Sequence, residues 1–453
     1  MMKRIFLAIL GACLCLSATA EVVIRGTINP ENGERISLYA ATPFADSLCA
    51  TVQADATGRF VLKAALPHNG LYMLSGKDNV THPIYLKDGE QVAVKYSHER
   101  LNVLSGLSPE GQRFAVWANK SAAVLLHAYL FNYIPGGQTV APAVFVREFR
   151  ALKQAAVAMK QQLKGNSEAV TLLRQKIDTD LAFYALSFRK NHIADIEKGF
   201  ITAADLDAYK RLFSRADLLR LPYAADMLVA YVDYLAEQQN IAPTDYAARQ
   251  SLLASQPLRE TYLYQVASRL QYYEKYEALR RSVEKSPLSD ALVQAFRPIE
   301  EQLAWSKPGS MAIDFEGKRP DGTPLKLSQL RGKVVVVDVW ATWCAPCIRM
   351  IPYFKQLEKE LDTPEVTFLS VCVGTWVEND RWKELIQKHE LTGNLIFIDS
   401  WTKGFAIDYH VTGVPRFMIV DSEGRMVSFA APAPKYPELK AMILKTLGRS
   451  AAS

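Results

Sequence analysis

The stretch that most constrains this chain is Trp343–Cys344–Ala345–Pro346–Cys347, taken with what flanks it. Before it, Lys333–Trp340 is dense in valine: Val334, Val335, Val336, Val337 and Val339. An apolar run that short reads as a strand covered on both faces. After it, Ile351, Phe354, Leu357 and Leu361 recur at spacings of three and four, the period of a helix. The two cysteines therefore fall where a buried parallel strand turns into a helix, and there backbone N–H groups and the helix dipole favour a negative sulfur. A free thiol with a pKa of about 8.5 is only a few per cent ionised at neutral pH, whereas one lowered to about 7 is half thiolate. Cys344, at the helix start, is the expected nucleophile. Cys347, one turn in, is the expected buried resolving thiol. Pro346 fits a first helical turn, where its missing N–H costs little. The competing reading is half of a zinc site, which needs a second pair of ligands. Outside the N-terminal segment only Cys49 and Cys372 remain, and neither stands in a Cys-x-x-Cys or His-x-x-x-His pattern, so no metal is expected.

Taken in order, residues 1–20 read as a secretory signal: Lys3 and Arg4 are the charged start, Ile5–Leu16 the apolar stretch, and Ala18–Thr19–Ala20 a small-x-small cleavage site. A second reading stays open, because Leu10–Gly11–Ala12–Cys13 resembles a lipoprotein box that would leave Cys13 as a lipidated N-terminus. On either reading the protein is exported. No later stretch reaches membrane-spanning length, so a soluble mature chain is expected. Its 453 residues call for two or three domains, and its 49% apolar content supports buried cores. The net charge of +6 is slight for this length, and no basic run is interleaved with aromatics, which argues against nucleic acid as a partner. Six cysteines, two of them in the leader, do not make a disulfide-stapled scaffold.

Residues 21–106 show short alternating runs at Val22–Gly26, Arg35–Tyr39, Arg59–Leu62 and Gln91–Val94. Turn clusters at Asn32–Gly33, Asp55–Gly58 and Asp88–Gly89 separate them, a β-sandwich pattern. Cys49 is expected in one of these strands as a buried structural thiol. Residues 107–305 switch to helical spacing, as in Leu228, Tyr231, Val232 and Leu235, punctuated by Gly136–Gly137, Pro222, Pro243 and Pro287. The segment is rich in tyrosine, expected as helix-packing core, with a groove for a client protein as the alternative. No internal period marks a solenoid. Ser306–Ser310 reads as a linker into a last α/β domain, residues 308–449.

That last domain resembles the thioredoxin fold, and more closely the extracytoplasmic TlpA/ResA-type thiol-disulfide oxidoreductases. The resemblance rests on Pro308–Gly309, Leu327–Lys333, Val339–Cys347, Gly413–Val414–Pro415 and Val420–Gly424, in the family's order and spacing. Within it, Pro415 is expected to be cis and to face the active disulfide, with the Val414 backbone pairing with an extended substrate beside Trp343. Asp338, a carboxylate inside a valine strand six residues before Cys344, matches the family's buried acid and would exchange a proton with Cys347. A hydrogen-bonded core aspartate is the alternative. Two positions depart from the pattern. Met350 stands where many relatives carry a glutamate, and Ser370 aligns where thioredoxins tend to carry a lysine. Cys372, in the strand next to Asp338, is expected as a structural thiol, and a Cys49–Cys372 bridge stays open. The resemblance implies an exported protein-disulfide oxidoreductase of the periplasm with no cofactor beyond the Cys344–Cys347 disulfide. Its expected partners are a disulfide-bearing client protein and a membrane thiol reductase as electron donor. An oxidant or isomerase using the same site, a peroxidase, and a non-enzymatic client-binding protein are the alternatives.

Overall fold

The computed structural model describes residues 21–29, 35–44, 46–76, 81–97, 100–129, 141–191 and 199–448. The leader with Cys13, the Asn32–Gly33 turn and the Gly136–Gly137 break lie outside them. The chain forms two compact units, one running to Ser268 and including Lys285–Ala295, the other comprising Arg269–Glu284 and the chain from Phe296.

The first unit begins with eight strands: β1 (Val22–Ile28), β2 (Arg35–Ala40), β3 (Ser47–Gln53), β4 (Arg59–Ala64), β5 (Gly70–Ser75), β6 (Thr81–Leu86), β7 (Gln91–Tyr96) and β8 (Leu101–Ser105). They form two four-stranded sheets, ordered β4-β1-β7-β8 and β3-β2-β5-β6. Ile24, Leu62 and Val92 from one sheet share a core with Leu38, Leu74 and Ile84 from the other, which is a β-sandwich. The alternation is plainest in β4, where Phe60, Leu62 and Ala64 are buried and the residues between them are exposed.

Among the described residues the α-helices that follow to Ser268 are α1 (Pro109–Tyr129), α2 (Pro142–Gln162), α3 (Glu168–Asn191), α4 (Ala203–Leu212), α5 (Ala224–Gln238), α6 (Tyr246–Ser251) and α7 (Gln256–Ala267). Phe114 of α1 stacks on Tyr85 of β6 at 4.6 Å, so the helices continue from the sandwich. The tyrosines act as core: Tyr209, Tyr231 and Tyr262 are buried, and the Tyr262 hydroxyl accepts from Arg249 Nε at 3.1 Å. The buried Lys176 and Asp180 of α3 are paired. Lys176 donates to both Asp180 oxygens at 2.9 and 3.0 Å, and Trp117 Nε1 donates to the same carboxylate at 2.7 Å.

The second unit takes in α8 (Tyr273–Ser282) and the end of α9 (Asp290–Leu303) before its sheet begins. Its remaining elements are β9 (Glu316–Lys318), β10 (Pro324–Lys326), β11 (Val334–Trp340), α10 (Ala345–Glu360), β12 (Val366–Val373), α11 (Asn379–Lys388), β13 (Asn394–Ile398), α12 (Phe405–Asp408), β14 (Arg416–Val420), β15 (Met426–Ala431) and α13 (Pro437–Thr446). The seven strands lie in the order β10-β9-β13-β12-β11-β14-β15. β11 runs parallel to β12 and antiparallel to β14, and all seven of its residues are buried. Its odd-numbered valines, Val335, Val337 and Val339, join a core with Tyr409 and Phe429. Val334 and Val336 pack on the opposite face with Phe354 of α10 and Ile443 of α13. The period of two places Asp338 on that second face, the side of α10.

The fold is therefore multidomain, with an N-terminal β-sandwich, a central helical segment and a C-terminal thioredoxin-like α/β domain, as the sequence leads one to expect.

Candidate active site

Cys344 is the N-cap residue of α10, where the chain leaves β11, and its Sγ accepts a hydrogen bond from the Cys347 backbone N–H at 3.2 Å. An N-cap acceptor satisfies one of the helix's unpaired N–H groups, and here that acceptor is a sulfur. Pro346 sits in the first turn. Cys344 and Cys347 form a disulfide with an S–S distance of 2.07 Å. Each is only 3% exposed, so burial does not distinguish the two and position on the helix does. Both belong to an apolar cluster with Trp340, Trp382, Leu395 and Phe397.

The Val414–Pro415 peptide bond is cis. The Val414 carbonyl oxygen lies 3.6 Å from Cys344 Sγ, so the expected neighbours meet although seventy residues separate them. Trp343, the residue before the first cysteine, is 58% exposed, and its ring centroid lies 5.9 Å from that of Trp401. Trp401 carried no signal in the sequence. Glu378 did: Thr375-x-x-Glu378 is a capping box, and its carboxylate accepts from the Thr375 N–H and hydroxyl. The other carboxylate oxygen accepts from the Thr342 hydroxyl at 3.1 Å, tying the loop before Cys344 to the turn after β12.

Asp338 is buried beneath this loop, with its carboxyl pushed up to about 7 by desolvation alone. Among the described residues it makes no ion pair. Ser370 is its register partner on β12, and the Ser370 hydroxyl instead accepts from Trp340 Nε1 at 2.8 Å. Met350 packs among apolar side chains beside Phe354 and Val336. Cys372 is a free, buried thiol opposite Trp340 in register, and burial pushes its pKa up. Cys49 is also free, but it is only half-buried, short of the full burial expected of it, in β3 with its thiol 3.7 Å from the Ser47 carbonyl. A Cys49–Cys372 bridge is thus not formed. Among the described residues no set of three or more His, Cys, Asp or Glu side chains could hold a metal ion.

A buried strand leading into a helix-capping cysteine, a second cysteine one turn on and a cis proline against the sulfur define a thioredoxin-like thiol-disulfide oxidoreductase domain. The comparisons agree: residues 307–443 match the Redoxin family, so the C-terminal part of this chain is a Redoxin domain. The thioredoxin-like protein YneN of Bacillus subtilis is 31% identical over 119 residues, 26% of this chain and 66% of that protein. The thiol-disulfide oxidoreductase ResA of Bacillus cereus is 27% identical over 138 residues, 30% of this chain and 75% of that protein. Among solved structures, the thioredoxin domain of a thiol-disulfide oxidoreductase from Bacteroides vulgatus is 24% identical, with a TM-score of 0.28, covering 31% of this chain and 96% of its own.

Proposed function

We propose that this protein is an exported oxidoreductase that reduces disulfides in client proteins through Cys344 and Cys347. The observation that carries the reading is Cys344 Sγ at the helix N-cap, accepting the Cys347 N–H, with the Val414 carbonyl beside it. In the reduced enzyme that N–H and the helix dipole lower the Cys344 pKa and supply a thiolate. The thiolate attacks one client sulfur, the other leaves as a thiolate, and a mixed disulfide forms. Asp338, poised near neutrality, takes the Cys347 proton. The Cys347 sulfur then attacks Cys344, the second client thiolate departs, and two electrons have passed from the pair to the client. An extended client segment pairs with the Val414 backbone at the cis proline, next to the exposed Trp343 ring.

Export rests on the leader at residues 1–20, with the periplasm as the destination and lipidation at Cys13 as the variant form. Among the described residues no helix is long and apolar enough to cross a membrane. A reductase working in an oxidising compartment draws its electrons from elsewhere, so a membrane thiol reductase is the expected donor and no other cofactor is required.

The test is the reduction potential of the Cys344–Cys347 pair, read by thiol trapping across a dithiothreitol series. A value near about −270 mV supports the reductase, and one near about −120 mV makes the same site an oxidant or isomerase. A pair without a reversible two-electron transition leaves only the client-binding reading. In parallel, Cys347→Ser should accumulate a mixed disulfide through Cys344.

A further inference from the structure

The face of α10 that carries Cys347 continues away from the disulfide. Cys347, Ile351, Lys355 and Glu358 follow one another at intervals of four, four and three residues, so they share one stripe of the helix. Beside that stripe, a cavity opens between α10, β12 and the Leu391–Leu395 stretch. It holds about 420 Å³ of non-atom space, counting the solvent at its mouth. Its polar wall is made by Asp338, Ser370, Asn394, Thr392, Lys355 and Glu358. Burial gives the cavity a direction. Asp338 at one end is buried, Lys355 and Glu358 are half-buried, and Thr392 is exposed. Most of the cavity's space is the open mouth, and the enclosed part, with several polar partners around it, has room for about one water.

The mouth is shaped for a carboxylate. Gly393 has φ +84, and a β-carbon there would lie 3.3 Å from Glu358 Oε1, so the carboxyl sits against the turn at close range. Lys355 is drawn aside, donating to the His389 carbonyl at 2.9 Å. Asn394 is held by its amide, which donates to Thr367 Oγ1 at 3.0 Å and to the Phe368 carbonyl at 3.2 Å. The Glu358 carboxyl is raised by burial and by Asp362, against the opposing pull of Lys355. Its acidity is thereby shifted toward that of Asp338.

We propose that this cavity is the exit for the proton that Asp338 collects from Cys347, and that Glu358 at its mouth is the relay that passes that proton to bulk water. The proposal rests on the dithiol reading above. In resolution the Cys347 S–H bond breaks and an Asp338 O–H bond forms, while the Cys347 sulfur joins Cys344 and the client leaves as a thiolate. The Asp338 proton then moves through cavity water to a Glu358 oxygen and on to solvent, which restores the Asp338 carboxylate for the next cycle. No electrons move in this last step. Lys355 and Glu358 from α10 line the same cavity as Asp338, and Cys372 of β12 feels its charge, while Cys347 stands two turns before Lys355 on the same stripe of α10. Phe417, the β14 partner of Asp338, and the β13 residues Asn394 and Leu395 carry no charge. Glu358 in turn faces Lys355 and Asp362.

The experiment is single-turnover closure of the Cys344–Cys347 disulfide when the reduced full-length chain meets a disulfide-bonded peptide, followed from pH 5 to 9 at rising imidazole concentration. Glu358→Gln should slow closure by about tenfold, with imidazole restoring the rate as it collects the proton at the mouth. Wild type should be insensitive to imidazole. Thr392→Leu, which narrows the mouth, should slow closure without rescue, and thermal melting of both variants verifies that they fold. If Glu358→Gln keeps the wild-type rate and pH profile, or is slowed without rescue, while Asp338→Asn is slow, the exit is overturned and the dithiol reading stands. If Asp338→Asn closes as fast as wild type, the acid role falls and the exit falls with it.

Discussion

Asp338 shows how one position can trade stability for chemistry. Its carboxyl would titrate near 3.8 in an unfolded chain and titrates near 7 in the folded one. Between those values the native state holds a proton that the unfolded state has lost, so stability falls as pH rises through that window and levels off above it. The loss is on the order of 4 kcal/mol. Asp338→Asn removes the titrating group while keeping its size. It should therefore raise the melting temperature of the second unit at pH 8 and change it little at pH 4, as calorimetry across that range would show. The Cys344–Cys347 pair was legible in its two-residue spacing between a strand and a helix, and Asp338 as a charge inside a valine run, while Pro415 was expected from the family resemblance. Trp401 and Glu358 were not, since their relevance depends on which strands and helices become neighbours. Glu378 lay between these cases. Its capping box could be read, but its second partner, Thr342, could not.

At the level of elements, β11 and α10 follow directly from their patterns. The helix the sequence did not place in this unit is α8. Tyr272, at its start, packs 5.6 Å from Phe429 of β15, and the Arg416 guanidinium lies over both rings. The Glu274 carboxyl lies against Ser428, Phe429 and Ala430, so the helix packs beside β15, an edge strand. Burial in that position pushes the Glu274 carboxyl up. Helical spacing says nothing about which core a helix serves. Tyr272→Ala should cost the second unit about 3 kcal/mol, seen as an earlier denaturation of that unit with the sandwich transition unmoved. The sandwich itself was half legible. β5 is buried along its whole length and shows no alternation, and Pro83 breaks the strand signal of β6, which the fold tolerates because β6 lies at a sheet edge.

For the whole molecule, composition and punctuation located the change from strand to helix and the start of the Redoxin domain. They placed that start at the Ser306–Ser310 linker. The contacts reach further back, because Trp305 stands edge-on to Tyr409 and Phe429 at 5.8 and 4.8 Å, and Tyr272 closes the same core. A linker signal marks where the chain is polar and turns, and it is blind to aromatic rings that return to a domain from upstream. A fragment beginning at Pro308 should therefore unfold at lower temperature and aggregate more readily than one beginning at Arg269, as paired melting and light-scattering measurements would reveal.

The burial of the two sulfurs also has a consequence for traffic. A sulfur with 3% of its residue surface showing offers almost no target to random collision. Small thiols in the surrounding medium meet it rarely, whatever their redox poise. If clients pair with the Val414 backbone as proposed, such a partner would arrive with its own sulfur already aimed. On the proposed reading, access to the pair would then be set by which partner can dock before it is set by which holds the more favourable potential.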